Sequence, residues 1–185
     1  MPGGPDGVVD HEGLSLIHGP VGSEDIVHLP GTPWLIASGL NLGAPGQMSV
    51  VDTRTKSSVA LSLTWLPGTE GDRGAAPPER SQMSTDGLAL RTGTGGRHLL
   101  YAANHGDRHA IEIFAIDANG ALPAVRWTGC ARLPPTALPN AVRPLPDGGL
   151  LVICPYDPTD QDCWSRMARV TGCCSYHCPK CKAKG

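Results

Sequence analysis

No stretch of this sequence reaches the roughly 18 consecutive apolar residues that a membrane helix needs. An excess of one charge is lacking too: 15 Lys and Arg stand against 17 Asp and Glu, a formal net charge of −2. That balance gives no electrostatic reason to expect nucleic acid or an anionic membrane as a partner. The first ten residues carry Asp and Gly where a secretion leader would have Lys or Arg and then an apolar stretch. The expectation is a cytoplasmic chain with neither membrane nor nucleic acid as partner. A helical signature is missing as well, since no segment repeats its apolar residues at a 3.6-residue period over three turns. Cysteine is absent before Cys130, whereas six of the seven cysteines fall between Cys154 and Cys181. That step in composition divides a body from a tail.

What the body does contain is turns. Gly 24 and Pro 18 are high for 185 residues and are spread instead of clustered, which reads as frequent chain reversal and not as low complexity. Hydrophobic residues at 40% and charged residues at 17% suit a folded domain. Short apolar or alternating segments at 26–29, 34–38, 48–52, 88–90, 98–103, 110–117, 141–145 and 150–154 read as strands. Pro30-Gly31, Asn119-Gly120 and Asp147-Gly148-Gly149 are among the turn signals between them. The expected fold class is all-β.

An internal repeat sharpens that expectation. Glu24-Asp25-Ile26-Val27 with Trp34–Ser38, Asp86-Gly87-Leu88-Ala89 with His98–Ala102, and Asn140-Ala141-Val142 with Leu150–Ile153 share one pattern. Each opens on a polar or acidic residue, runs through a short apolar strand and a turn, and ends in a stronger apolar strand. The starts recur about every 55 to 60 residues, a period that four short strands of a propeller blade would give. About three blades over 1–165 make a partial β-propeller, with 166–185 as an irregular Cys- and Lys-rich tail. A small sandwich with coincidental repeats is the alternative.

Three motifs within these repeats resemble the paraoxonase/arylesterase family, gluconolactonase-like calcium-dependent propellers. Gly22-Ser23-Glu24-Asp25 with Trp34–Leu40 is similar to the family's first blade. Tyr101-Ala102-Ala103-Asn104-His105 with Ile111-Glu112-Ile113-Phe114 is similar to a later one. Leu138-Pro139-Asn140 with Val142 and Pro144–Gly148 is similar to a third, in family order and spacing. The resemblance implies a six-bladed ring, of which this chain covers the first half, hydrolysing lactones and aryl esters around a tunnel calcium. It implies Glu24 and Asn140 as ligands of the catalytic calcium, Asp25 as a ligand of a structural one, and His105 in proton transfer. Calcium takes six to eight hard oxygen ligands, so one oxygen residue per blade suits such a cage.

The departures from the family matter equally. Asp86 stands where the family carries a histidine before the Gly of the second blade, which leaves Asp86 as either a catalytic stand-in or an extra oxygen ligand. Ala141 replaces an Asp that holds the structural ion in some members. The ligands of the later blades are absent, leaving two or three where about five are needed. Read without the family, Glu24, Asp25 and Asp86 are ordinary turn carboxylates, Asn140 a strand-start residue and His105 a loop histidine, while Arg108 and His109 look like hairpin surface.

In the tail, Cys173, Cys174, His177, Cys178 and Cys181 crowd together, with a single CxxC knuckle at Cys178–Cys181. A zinc site usually takes two separated knuckles, so a scrambled end, a zinc knuckle and disulfides all stay open. Two functions follow. One is a calcium-dependent arylesterase or lactonase acting on a small ester or lactone, incomplete as a lone chain unless self-association completes the ring. The other is a non-catalytic β-propeller interaction module with a zinc-binding tail.

Overall fold

The computed structural model describes residues 8–11, 14–41, 43–72, 75–79, 82–134, 137–154 and 174–178. The fold is all-β, as the turn-rich sequence requires, and the described residues contain fourteen strands and no α-helix. No helix among them is long and apolar enough to cross a membrane. A short hairpin of β1 (Val8–His11) and β2 (Leu14–Ile17) comes first. A four-stranded antiparallel sheet follows, in the order β3 (Ile26–His28), β4 (Trp34–Ala37), β5 (Ser49–Asp52), β6 (Ser57–Ala60).

The middle sheet is built around a second meander of β8 (Thr85–Thr92), β9 (Arg97–Asn104), β10 (Ala110–Asp117) and β11 (Ala124–Arg132). Its fifth strand, β7 (Leu63–Gly71), precedes the other four in sequence yet pairs in parallel with β11 at the far edge. A third sheet joins β12 (Ala141–Pro144), β13 (Leu150–Cys154) and β14 (Cys174–Cys178). Strand β14 thus lies inside the segment read from sequence as irregular tail. Among the described residues none of the three sheets closes on itself. The strands that open the three meanders stand side by side, with β8 against β3 on one side and β12 on the other.

Alternation explains this layering. In a strand successive side chains point to opposite faces, and in the middle sheet both faces are apolar. Leu88, Leu100, Phe114, Val125 and Trp127 pack with Ile36 and Val50 of the first sheet and with Met48 just before β5. Ala89, Tyr101, Ile111 and Ile113 pack with Val142, Leu150 and Val152 of the third. Each large side chain so buried contributes roughly 1.5–3 kcal/mol, so the middle sheet depends on both neighbours.

Strand β11 breaks the alternation once. Ile113 pairs with Gly129 and Phe114 with Trp127, which leaves Thr128 bulged. A Cβ on Gly129 would lie 1.9 Å from the Glu70 carbonyl oxygen of β7, so only glycine lets the parallel strand approach. The bulge also turns Cys130 into the first core, where the residue is fully buried. Burial, and then the charge of Glu112, push the Cys130 thiol pKa up to about 11. The thiolate is the reactive form, so Cys130 in the native chain should resist an aromatic disulfide reagent at pH 8. Its modification rate should follow the rate of unfolding as urea is added; prompt reaction without urea would show that the core opens locally.

Candidate functional site

The site forms where the strands that open the meanders begin. Strand β8 pairs Thr85 with Asn104 and Leu88 with Ala102, so Asp86 and Gly87 together oppose Ala103. Such a bulge re-aims a side chain, and here the side chain is Asp86, which is only 8% exposed. Its Oδ2 accepts a hydrogen bond from Asn140 Nδ2 at 2.9 Å and lies 3.6 Å from His105 Nε2. One carboxylate oxygen thus meets residues from two other segments.

Each of those segments is fixed locally. Asn140, just before β12, donates its backbone N–H to the Ile153 carbonyl at 2.8 Å, and its carbonyl accepts from the Gly87 N–H at 3.0 Å. His105 follows β9 in a turn that the fully buried Asn104 organises, its Oδ1 accepting from the N–H groups of Ser84 (3.0 Å) and Gly106 (3.1 Å). The His105 N–H donates to the Ser84 carbonyl at 2.7 Å. The His105 ring meets His109 edge-on, with centroids 5.6 Å apart. Burial, and then the charge of His105, lower the His109 pKa below the usual imidazole value. A cavity of about 280 Å³ opens beside His105, with Asn41, Gln82 and Ser84 on its walls.

Glu24 and Asp25 take different positions. Both backbone N–H groups donate to Ser38 Oγ at 2.9 Å, which folds this corner over the end of β4. The Asp25 carboxylate is engaged by backbone on both oxygens: Oδ1 accepts from the Ile26 N–H and Oδ2 from the Leu88 N–H, each at 2.8 Å. Asp25 therefore ties the first sheet to the middle one. Glu24 is exposed.

Of the residues expected to hold calcium, the side-chain oxygens left without a hydrogen bond among the described residues are the Glu24 carboxylate, Asp86 Oδ1 and Asn140 Oδ1. They fall short of the six to eight that calcium takes. Among the described residues no group of three or more His, Cys, Asp or Glu is gathered as a metal site. The donor set does not by itself fit a calcium cage. In the tail, Cys174, His177 and Cys178 lie on β14, while Cys173 and Cys181 lie outside the described residues.

Sequence reading passed over one arrangement. Glu112, within the motif around β10, is fully buried and gripped by Arg108 through Nε to Oε1 (2.8 Å) and Nη2 to Oε2 (2.9 Å). Trp127 Nε1 donates to the same carboxylate at 2.7 Å. Burial works against the charge on Arg108, but the hydrogen bond and charge of Glu112 more than offset it and raise its pKa above the ordinary value. Arg108 thus faces inward and is no plain hairpin surface. No family model matches the chain, and no curated protein sequence matches it either.

Proposed function

We propose that the three sheets are blades of a β-propeller whose further blades come from another copy or another chain, and that the assembled ring hydrolyses small esters or lactones. The observation that carries this reading is the meeting of His105 Nε2 and Asn140 Nδ2 on Asp86 Oδ2 near the start of β8. A carboxylate facing an imidazole is the arrangement of an oriented general base. In this reading His105 takes a proton from a water in the adjoining cavity, Asp86 stabilises the imidazolium that forms, and Asn140 holds Asp86 in place. The spacing of 3.6 Å is long for a hydrogen bond, as catalytic contacts often are before substrate binds. The motifs that resemble paraoxonases supply the substrate class and the calcium, whose remaining ligands would belong to the additional blades.

The test is phenyl acetate hydrolysis by the purified chain across a concentration series, with calcium and with chelator, alongside melting curves. Hydrolysis should need calcium and rise more steeply than in proportion to chain concentration. The melting temperature should rise with both. His105→Ala should lower the rate by roughly 100-fold or more with the melting curve unchanged. Absence of any calcium response at high concentration, or hydrolysis indifferent to His105, would overturn the reading.

A further inference from the structure

At the opposite ends of β8 and β9 from His105 lies a cavity of about 790 Å³, between the middle sheet and the turn at 145–148. That volume falls within the range of small-molecule sites. Strand register orders its floor. Arg91 lies opposite Leu99, Leu99 opposite Ala115, and Ala115 opposite Arg126, so two arginines flank an apolar centre in a single row across four strands. Arg97 stands on the same face, two residues before Leu99, in the next row outward and opposite Asp117.

The charges in this hollow are matched only in part: three arginines face Asp117 and Asp147. Asp117, whose pKa is lowered first by its bonds from Asn119, feels the charges of both Arg97 and Arg126. Arg91 is fixed, its Nη2 donating to the Leu145 carbonyl at 3.0 Å and its guanidinium lying 5.5 Å from the centre of the Tyr101 ring. Asp117 is turned back on its own hairpin, where Oδ1 accepts from the Asn119 N–H (3.1 Å) and Nδ2 (2.8 Å). Asp147 on the facing turn accepts from the Gly149 N–H at 2.9 Å. Among the described residues, neither the Arg97 nor the Arg126 guanidinium has a hydrogen-bond or close ion-pair partner. Two such cations beside an apolar floor in a concave site are complementary to an anionic head on an apolar body.

We propose that this cavity binds a small amphipathic anion, its carboxylate or phosphate head held by Arg97 and Arg126 and its apolar body resting on Leu99 and Ala115. The site is separate from the one around Asp86 and does not depend on hydrolysis. Calorimetric titration of the full chain with 2-naphthoate, 2-naphthyl phosphate and uncharged methyl 2-naphthoate tests it. Both anions should bind saturably and the methyl ester about tenfold more weakly, the loss of a charge-assisted contact. The tighter anion then identifies the head group. Arg97→Gln and Arg126→Gln, at exposed positions, should keep the wild-type melting temperature and each weaken the anions while leaving the ester unchanged. His105→Ala should bind all three as the parent does. Equal binding of ester and anions, undiminished anion binding in both arginine variants, or loss of binding in His105→Ala would overturn the proposal.

Discussion

Replacing Arg108 with methionine should lower the stability of the chain by about 3–5 kcal/mol, the usual consequence of leaving one member of a buried ion pair without its partner. The Glu112 carboxylate is fully enclosed. Without Arg108 it would keep the Trp127 indole N–H at 2.7 Å and a stretched contact to Asn104 Nδ2 at 3.5 Å. Neither brings a compensating charge. The substitution also removes the bond from Arg108 Nη1 to the Ala76 carbonyl (2.8 Å), which holds the segment 75–79 against the sheet. Urea denaturation would measure the loss. The double variant Arg108→Met with Glu112→Leu should recover most of it, because an apolar pair of similar volume often replaces a buried salt bridge at little cost. A single-variant loss below about 1 kcal/mol would place Glu112 in the class of exposed pairs.

Gly87→Ala should cost about 2–3 kcal/mol, toward the upper end of what overpacking exacts. The added Cβ would lie 2.2 Å from the Asn140 carbonyl oxygen and 2.7 Å from Ala141 Cα. Both neighbours are backbone, so no side-chain rotation relieves the clash, and the start of β12 has to move away from β8. The hydrogen bond from Gly87 N–H to the Asn140 carbonyl would stretch with it. Asn140 would then draw back from Asp86, so the melting temperature should fall and, on the proposed function, hydrolysis should fall with it. Wild-type stability would mean that the third sheet yields freely at this corner.

The eight segments read as strands from alternation coincide with β3, β4, β5, β8, β9, β10, β12 and β13. These strands carry their own burial signal, such as Ala110–Ile116, which is apolar toward both cores apart from Glu112. The strands not legible are those without a local apolar alternation to declare them. Strand β7 contains Pro67-Gly68, which reads locally as a turn; an edge strand tolerates proline because one side needs no donors. Strand β11 mixes Arg126, Thr128 and Gly129 into its run, and its bulge destroys the two-residue period. Strand β6, Ser57-Ser58-Val59-Ala60, is largely exposed and has no apolar face to declare it.

The site was legible in part for a related reason. Asp86, His105 and Asn140 stand out because each follows or opens an apolar strand at a fixed phase of the repeat. Their meeting on one oxygen depends on the Asp86–Gly87 bulge, which no local pattern announces. Asp25 opens a repeat in the same way, yet the Leu88 N–H that engages its carboxylate comes from 63 residues away. Arg108 followed by His109 reads as surface because the buried acid that turns Arg108 inward is itself unexpected in an apolar strand.

The parallel edge strand β7 also dictates an order of assembly. Thr64 and Val125, bonded across β7 and β11, are 61 residues apart in the chain. During synthesis from the N-terminus, β7 emerges with no place to dock until the whole meander from β8 to β11 has followed it. Throughout that interval Trp65 lacks Phe114 and Trp127, the aromatic partners it finally meets at 6.5 and 6.3 Å. Closing so long a loop is slow, and an unpaired apolar strand waiting for its sheet invites the wrong neighbour. The step at which this chain is most exposed to aggregation is therefore the docking of β7 rather than the formation of any hairpin.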